Sequence, residues 1–210
     1  MLEKELSKVK AKELMKESSK LNPGRWVNHS ENVAKISEKI SEILELDKEK
    51  AYTYGLLHDI GRIKGNTGLR HTIDGYNYLI SLGYKEVARY CITHSFQVKD
   101  ITSSLGKNDF TKEEEEFIKN YLKNTEYKTY DRIVQLADAM GLPEGITIIE
   151  RRLIDVHLRY GINEKTIENW KILYNFQKEI EEKIGHSMYK LFPETEKNIM
   201  EQLIKDILVF

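Results

Sequence analysis

The sequence predicts an all-α protein. Helical periodicity runs through most of its 210 residues, and no segment sustains the strict apolar–polar alternation of a half-buried strand. The three prolines, Pro23, Pro143 and Pro193, all fall between the periodic runs, where helices start or stop. In chain order, residues 4–19 are rich in Lys and Glu and carry Leu6, Val9 and Leu14 as a thin apolar stripe. Over 26–45, Val33, Ile36, Ile40, Ile43 and Leu44 recur at helical spacing. A third run covers 48–63 and closes at Gly61, and two short runs at about 72–82 and 85–95 are separated by Gly83. Further runs lie at 111–124, 130–140, 146–160, 163–184 and 194–210. The acidic run Glu113–Glu116 belongs in the first turns of its helix, where negative charge meets unpaired backbone N–H groups. Six of the twelve glycines lie between Gly55 and Gly83. That clustering reads either as several helix ends or as backbone that packs close or approaches a ligand.

Composition narrows the function classes. Lys and Arg total 33 against 34 Asp and Glu, a formal charge of −1, which argues against a dominant nucleic-acid or anionic-membrane footprint. Residues 1–20 hold six lysines against four glutamates, too balanced for a basic arm, so nucleic acid is a disfavoured partner. The segment reads instead as an amphipathic helix packing on the domain or on a second subunit, as in a homodimer. With 40% hydrophobic and 32% charged residues, the chain has material for a sizeable core and is not compositionally disordered. The single cysteine, Cys91, excludes an intrachain disulfide and a cysteine-based zinc site and fits a reducing compartment. No apolar block near the N-terminus suits a secretory signal, and no stretch approaches the roughly 20 apolar residues that span a bilayer. The expectation is a cytoplasmic protein without a membrane partner.

Six residues carry the chemistry. His58 and Asp59 are adjacent in Tyr54-Gly-Leu-Leu-His-Asp-Ile-Gly-Arg62. Neighbours on a helix point about 100° apart, but at a helix end they can flank one ion from two sides. His29 lies four residues before Val33 and seven before Ile36, on the apolar stripe, and His94 stands three after Cys91 and seven after Val87. Each alone is equally a hydrogen-bonded core histidine. Asp138, within Leu136-Ala137-Asp138-Ala139, is a carboxylate in an apolar helix and needs a cation or strong donors. His71 opens a helix beside the loop Gly65-Asn-Thr-Gly68. Asp131 reads as a cap of the helix carrying Asp138, His157 as packing, and His186 as exposed. Trp26 and Trp170 can stack on a base but are more simply core.

The ordered set His29, His58-Asp59, His71, His94, Asp138 resembles the HD-domain superfamily of metal-dependent phosphohydrolases. His58-Asp59-Ile60-Gly61 matches the HDIG form of its signature, and Thr93-His94 and Leu136-Ala137-Asp138 are similar to its flanking contexts. The resemblance covers roughly 26–140 and implies a helical bundle. By that resemblance His29, His58, Asp59 and Asp138 hold one metal, and Asp59 bridges to a second held also by His71 and His94. The two extra histidines resemble the dinuclear branch, which includes symmetrical diadenosine tetraphosphate hydrolases.

Such an N/O ligand set suits one or two divalent transition-metal ions: Fe, Mn, Ni, Co or Zn. The implied reaction is hydrolysis of a phosphate ester or anhydride, of a nucleotide or another small phosphorylated substrate, by attack of a metal-bound hydroxide. Asp59 is then catalytic as well as a ligand, and Arg62 or Lys64 is placed to clamp phosphate oxygens. The alternative is a non-catalytic nucleotide-binding or regulatory module of the same fold. The Gly-Tyr-Pro motif of cyclic-di-GMP phosphodiesterases is absent, which disfavours that substrate. The expected organisation is an amphipathic helix over 1–20, an HD core over 21–145, and C-terminal helices over 146–210 that complete the bundle.

Overall fold

The computed structural model describes residues 4–207, with side chains as far as Glu201. The outermost residues of the expected first and last segments, 1–3 and 208–210, lie outside the described residues. Ten α-helices follow one another in the described chain, with one very short β-hairpin.

α1 (Lys8–Leu21) starts at Ser7, whose hydroxyl accepts the Lys10 N–H at 3.3 Å. It buries Ala11, Leu14 and Met15. α2 (Arg25–Ile43) is the spine. It buries Trp26, His29, Ser30, Val33, Ala34, Ile36, Ser37, Ile40 and Ser41, a face much wider than a single stripe. Its small residues meet α3 (Lys48–Leu57), which approaches so closely that a Cβ at Gly55 would stand 2.7 Å from Ser37 Oγ. Its large residues, Val33, Ile36 and Ile40, enter a core shared with α7 (Thr129–Asp138) and α9 (Thr166–Ile184). Burial of each such side chain contributes about 1.5–3 kcal/mol.

The run expected to continue to residue 63 breaks at Leu57. A 3-10 segment, Ile60–Lys64, turns the chain toward α4 (Arg70–Ser81). A Cβ on Gly61 would meet the His71 carbonyl oxygen at 1.9 Å and the Gly75 nitrogen at 2.5 Å. Only glycine allows that approach, and it sets the start of α4 directly beside the residues that follow α3. Part of the glycine cluster is therefore close packing.

α5 (Lys85–Thr93) and α6 (Lys112–Asn124) close that side over Leu69, Ile73, Ile92, Phe96, Ile118 and Leu122. α6 begins with a capping box between Thr111 and Glu114, and the acidic run does occupy its first turn. α5 is tied to α7 by Arg89, whose Nε and a terminal nitrogen donate to Asp131 at 2.9 and 2.6 Å. Asp131 also accepts the Lys128 N–H at 2.7 Å, so it is the third residue of the helix reaching back, not the N-cap itself.

The expectation of no sheet meets one small exception. Gly141–Leu142 pairs antiparallel with Gly145–Ile146 across Pro143-Glu144. Two-residue strands are too short to show alternation, which is why the pattern gives no sign of them. α8 (Ile149–Tyr160) follows and buries only Ile149 and Leu153. α9 packs Leu173, Phe176 and Ile180 against α2 and α7, and α10 (Glu194–Ile207) lies over the hairpin, where Asn198 Nδ2 donates to the Ile146 carbonyl at 3.2 Å. No helix among the described residues is long and apolar enough to cross a membrane.

Candidate metal centre

Six side chains from five helices meet at the floor of one cavity. His29 comes from the second turn of α2, and His58 and His94 stand at the C-terminal caps of α3 and α5. Asp59 follows where the chain leaves the helix, His71 lies in the first turn of α4, and Asp138 ends α7. The four histidines and Asp59 are buried.

Each of the four imidazoles is oriented in the same way. His29 Nδ1 donates to the Gly141 carbonyl at 2.9 Å, His58 Nδ1 to Gly55 at 2.7 Å, His71 Nδ1 to Gly68 at 2.5 Å and His94 Nδ1 to Tyr90 at 2.9 Å. A backbone carbonyl only accepts, so it keeps the ring proton on Nδ1 and leaves Nε2 with a free lone pair. Gly55 belongs to the last turn of α3, where carbonyls lack helical partners, whereas the Tyr90 carbonyl also accepts the His94 N–H at 3.3 Å. The hairpin, unannounced by the sequence pattern, supplies the carbonyl that turns His29.

The Nε2 atoms face inward in pairs: His29 and His58 are 3.2 Å apart, His71 and His94 3.3 Å. Asp138 Oδ1 lies 3.0 Å from His29 Nε2 and 3.7 Å from His58 Nε2. Asp59 Oδ1 lies 3.1 Å from His71 Nε2 and 3.7 Å from His94 Nε2, while its Oδ2 lies 4.0 Å from His58 Nε2. Asp59 thus stands between two half-sites. Lone pairs at such distances repel unless a cation sits between them. Burial opposes a proton: it pushes His58 below its usual range and lowers His94 to about 3.

The carboxylates stay ionised. Burial resists the Asp59 charge, but the Arg62 guanidinium outweighs it and holds the carboxyl well below the usual range. Asp138 is lowered against burial, chiefly by His29. Asp59 Oδ1 is buried without a hydrogen-bond donor. An orphaned carboxylate oxygen facing imidazole nitrogens turned inward by their backbone hydrogen bonds is a donor set that fits a divalent transition metal. Three overlapping trios drawn from these residues offer ligand atoms within 4.8 Å of one another: His29, His58 and Asp59; His58, His94 and Asp138; Asp59, His71 and His94.

Residues 26–141, more than half of the chain, match the HD domain. The chain belongs to the HD-domain family. All six clustered residues fall inside the segment this HD-domain protein shares with its family. It is also similar to Ribonuclease Y of Mycoplasmoides gallisepticum (strain R(low / passage 15 / clone 2)), 29% identical over an alignment of 168 residues that covers 73% of this chain and 26% of that protein. The chain therefore spans about a quarter of that relative's length. No solved structure matches it.

Of the two cations singled out beside the doublet, the structure brings in one. Arg62 Nε donates to Asp59 Oδ2 at 2.5 Å and lines the cavity. Its own carbonyl accepts from Asn22 Nδ2 at 2.5 Å, so the loop before α2 steadies it. Lys64 is exposed and is not among the lining residues. His157 packs edge-on to Trp170 at 5.0 Å, and His186 is exposed. Trp26 is buried yet lines the cavity.

Sequence reasoning missed three contributors. Ser95 Oγ lies 2.9 Å from His94 Nε2, and its position after a ligand candidate was the only available signal. Gln135 donates to the Thr93 and Phe96 carbonyls at 2.8 and 3.4 Å and holds the turn that carries His94. Asn22 had no signal at all, because its partner is 40 residues away.

Proposed function

We propose that this HD-domain protein is a metal-dependent phosphohydrolase that cleaves a phosphate ester or anhydride of a nucleotide. The observation that carries this reading is the buried ring of imidazole lone pairs around the orphaned Asp59 oxygen. His29, His58, Asp59 and Asp138 would hold one ion, and His71 and His94, with Asp59 shared, a second. Bound there, a divalent ion would neutralise phosphoryl charge and lower the pKa of water near it.

The chain's own groups supply the rest. The four backbone carbonyls keep the imidazoles in the ligating tautomer. Arg62 keeps Asp59 ionised and adds a positive charge at the cavity edge, toward phosphate oxygens. The cation role falls to Arg62 rather than Lys64, because only Arg62 lines the cavity. Ser95 offers a hydroxyl on the same floor. The cavity, about 1180 Å³, exceeds the roughly 300–1,000 Å³ of ordinary small-ligand sites and so admits a nucleotide.

Metal analysis of the purified protein, joined to a substrate screen, tests the proposal. The screen holds nucleoside monophosphates, dinucleoside polyphosphates including diadenosine tetraphosphate, cyclic nucleotides and an aryl phosphate. A short oligoribonucleotide joins them because the Mycoplasmoides relative is called a ribonuclease. Asp59→Ala is expected to lose metal and turnover while keeping its helix content. Full metal-dependent activity in that variant would end the proposal, and a metal-free, inactive native protein would favour a binding module. Unchanged metal stoichiometry in His71→Ala would mean a one-ion site.

A further inference from the structure

α8 lies outside the family-matched segment, yet it lines the same cavity as the cluster. Its inner turns face the core through Ile149 and Leu153. The opposite side carries two adjacent stripes at helical spacing, both lining the cavity: Arg151, Ile154 and Leu158, and Arg152, Asp155 and Arg159. Ile154 is 57% and Leu158 82% exposed, which is unusual for large apolar side chains on a cavity wall.

The charged stripe is unbalanced. Asp155 Oδ2 is shared by two guanidinium groups, Arg152 at 3.4 Å and Arg159 at 2.7 Å. Two positive charges therefore converge on one negative charge over two helical turns. Glu144, across the cavity, pairs with Arg25, and Glu150 accepts the Tyr189 hydroxyl at 2.8 Å. Among the described residues, neither compensates the second guanidinium. Arginine pairs with this spacing suit the oxygens of a phosphoryl group.

We propose that α8 carries a second anion subsite of the same cavity: Arg152 and Arg159 receive a further phosphoryl group of the substrate, and Ile154 and Leu158 take its apolar body. This rests on the phosphohydrolase reading and sharpens it. The substrate class is an organic molecule with at least one phosphoryl group besides the one cleaved. The cavity has room for both groups, since a lone phosphate would fill only a small part of about 1180 Å³.

The test is equilibrium binding by calorimetry to the metal-loaded protein. The probes are adenosine monophosphate and the non-hydrolysable methylene analogue of adenosine triphosphate. The native protein is expected to prefer the analogue at least tenfold. The Arg152→Gln, Arg159→Gln double variant should shrink that preference to less than threefold, and Asp155→Asn should enlarge it by releasing both arginines. If the double variant does not fold, Arg159→Gln and Asp155→Asn must still move the preference in opposite directions. No preference in the native protein, or one that these substitutions leave unchanged, overturns the subsite. Metal content and turnover of the native protein are read separately. A preference without turnover would leave the subsite standing and remove the phosphohydrolase reading; turnover without a preference would do the reverse.

Discussion

α2 and α8 both wall the cavity, but they are held very differently. α2 is covered on two broad faces and exposed along one stripe: α3 closes on its small residues and α7 and α9 on Val33, Ile36 and Ile40, with the His29 ring locked by the Gly141 carbonyl. α8 is anchored through Ile149 and Leu153 and leaves Ile154, Leu158 and Arg159 open. The chemistry-bearing groups thus stand on elements held by packing on several sides, and the opposite wall stands on an element whose cavity face is mostly outside the core. The family match includes α2 and stops before α8.

Four measurements strain that contrast. The largest effect is expected from Asp131→Ala, which leaves the half-buried Arg89 guanidinium without its bidentate partner between α5 and α7 and the Lys128 N–H without its cap. A loss of about 3–5 kcal/mol in denaturant unfolding is expected. A loss below about 1 kcal/mol would mean that the core side is no more tightly specified than α8. Ile36→Ala, at a fully buried position of α2, should lose about 2–5 kcal/mol.

Acidification is the third. Buried His58 and His94 are neutral in the folded chain, whereas in the unfolded chain they take up protons below about pH 6.5. The unfolded state then binds more protons, so stability of the chelated protein falls as pH drops from about 6.5 toward the His94 value of about 3. Asp59 and Asp138, lowered when folded, add to the loss once the pH falls below the ordinary carboxylate range. A thermal midpoint that did not drop between pH 7.5 and pH 5 after chelation would contradict this burial. The smallest effect belongs to the open wall: Leu158→Ala should change stability by no more than about 0.5 kcal/mol, and a larger loss would show that α8 is anchored through its outer face.

Much of this was legible before any coordinates. The helical class followed from periodicity, and boundaries were met within a few residues wherever a cap was encoded, as at Thr111 before α6. The extension of the third run to Gly61 failed because hydrophobic spacing does not distinguish an α-helix from the 3-10 turn that carries Asp59 onward. The hairpin at 141–146 escaped because two-residue strands have no period. Arg62 and Lys64 looked alike in sequence. What separates them is one ion pair at 2.5 Å, a fact of side-chain direction.

From the chain alone one could name six ionisable side chains, the helices that bear them, and the absence of an intrachain disulfide or a cysteine-based zinc site, because each follows from residue type and short-range backbone geometry. The folded molecule decided what those side chains face. The pairing of Nε2 atoms, the carbonyls that set their tautomer, the lone oxygen of Asp59 and the arginine comb of α8 depend on contacts across tens of residues. Such contacts come from how helices dock, and docking is governed by the summed fit of many buried surfaces rather than by any local pattern.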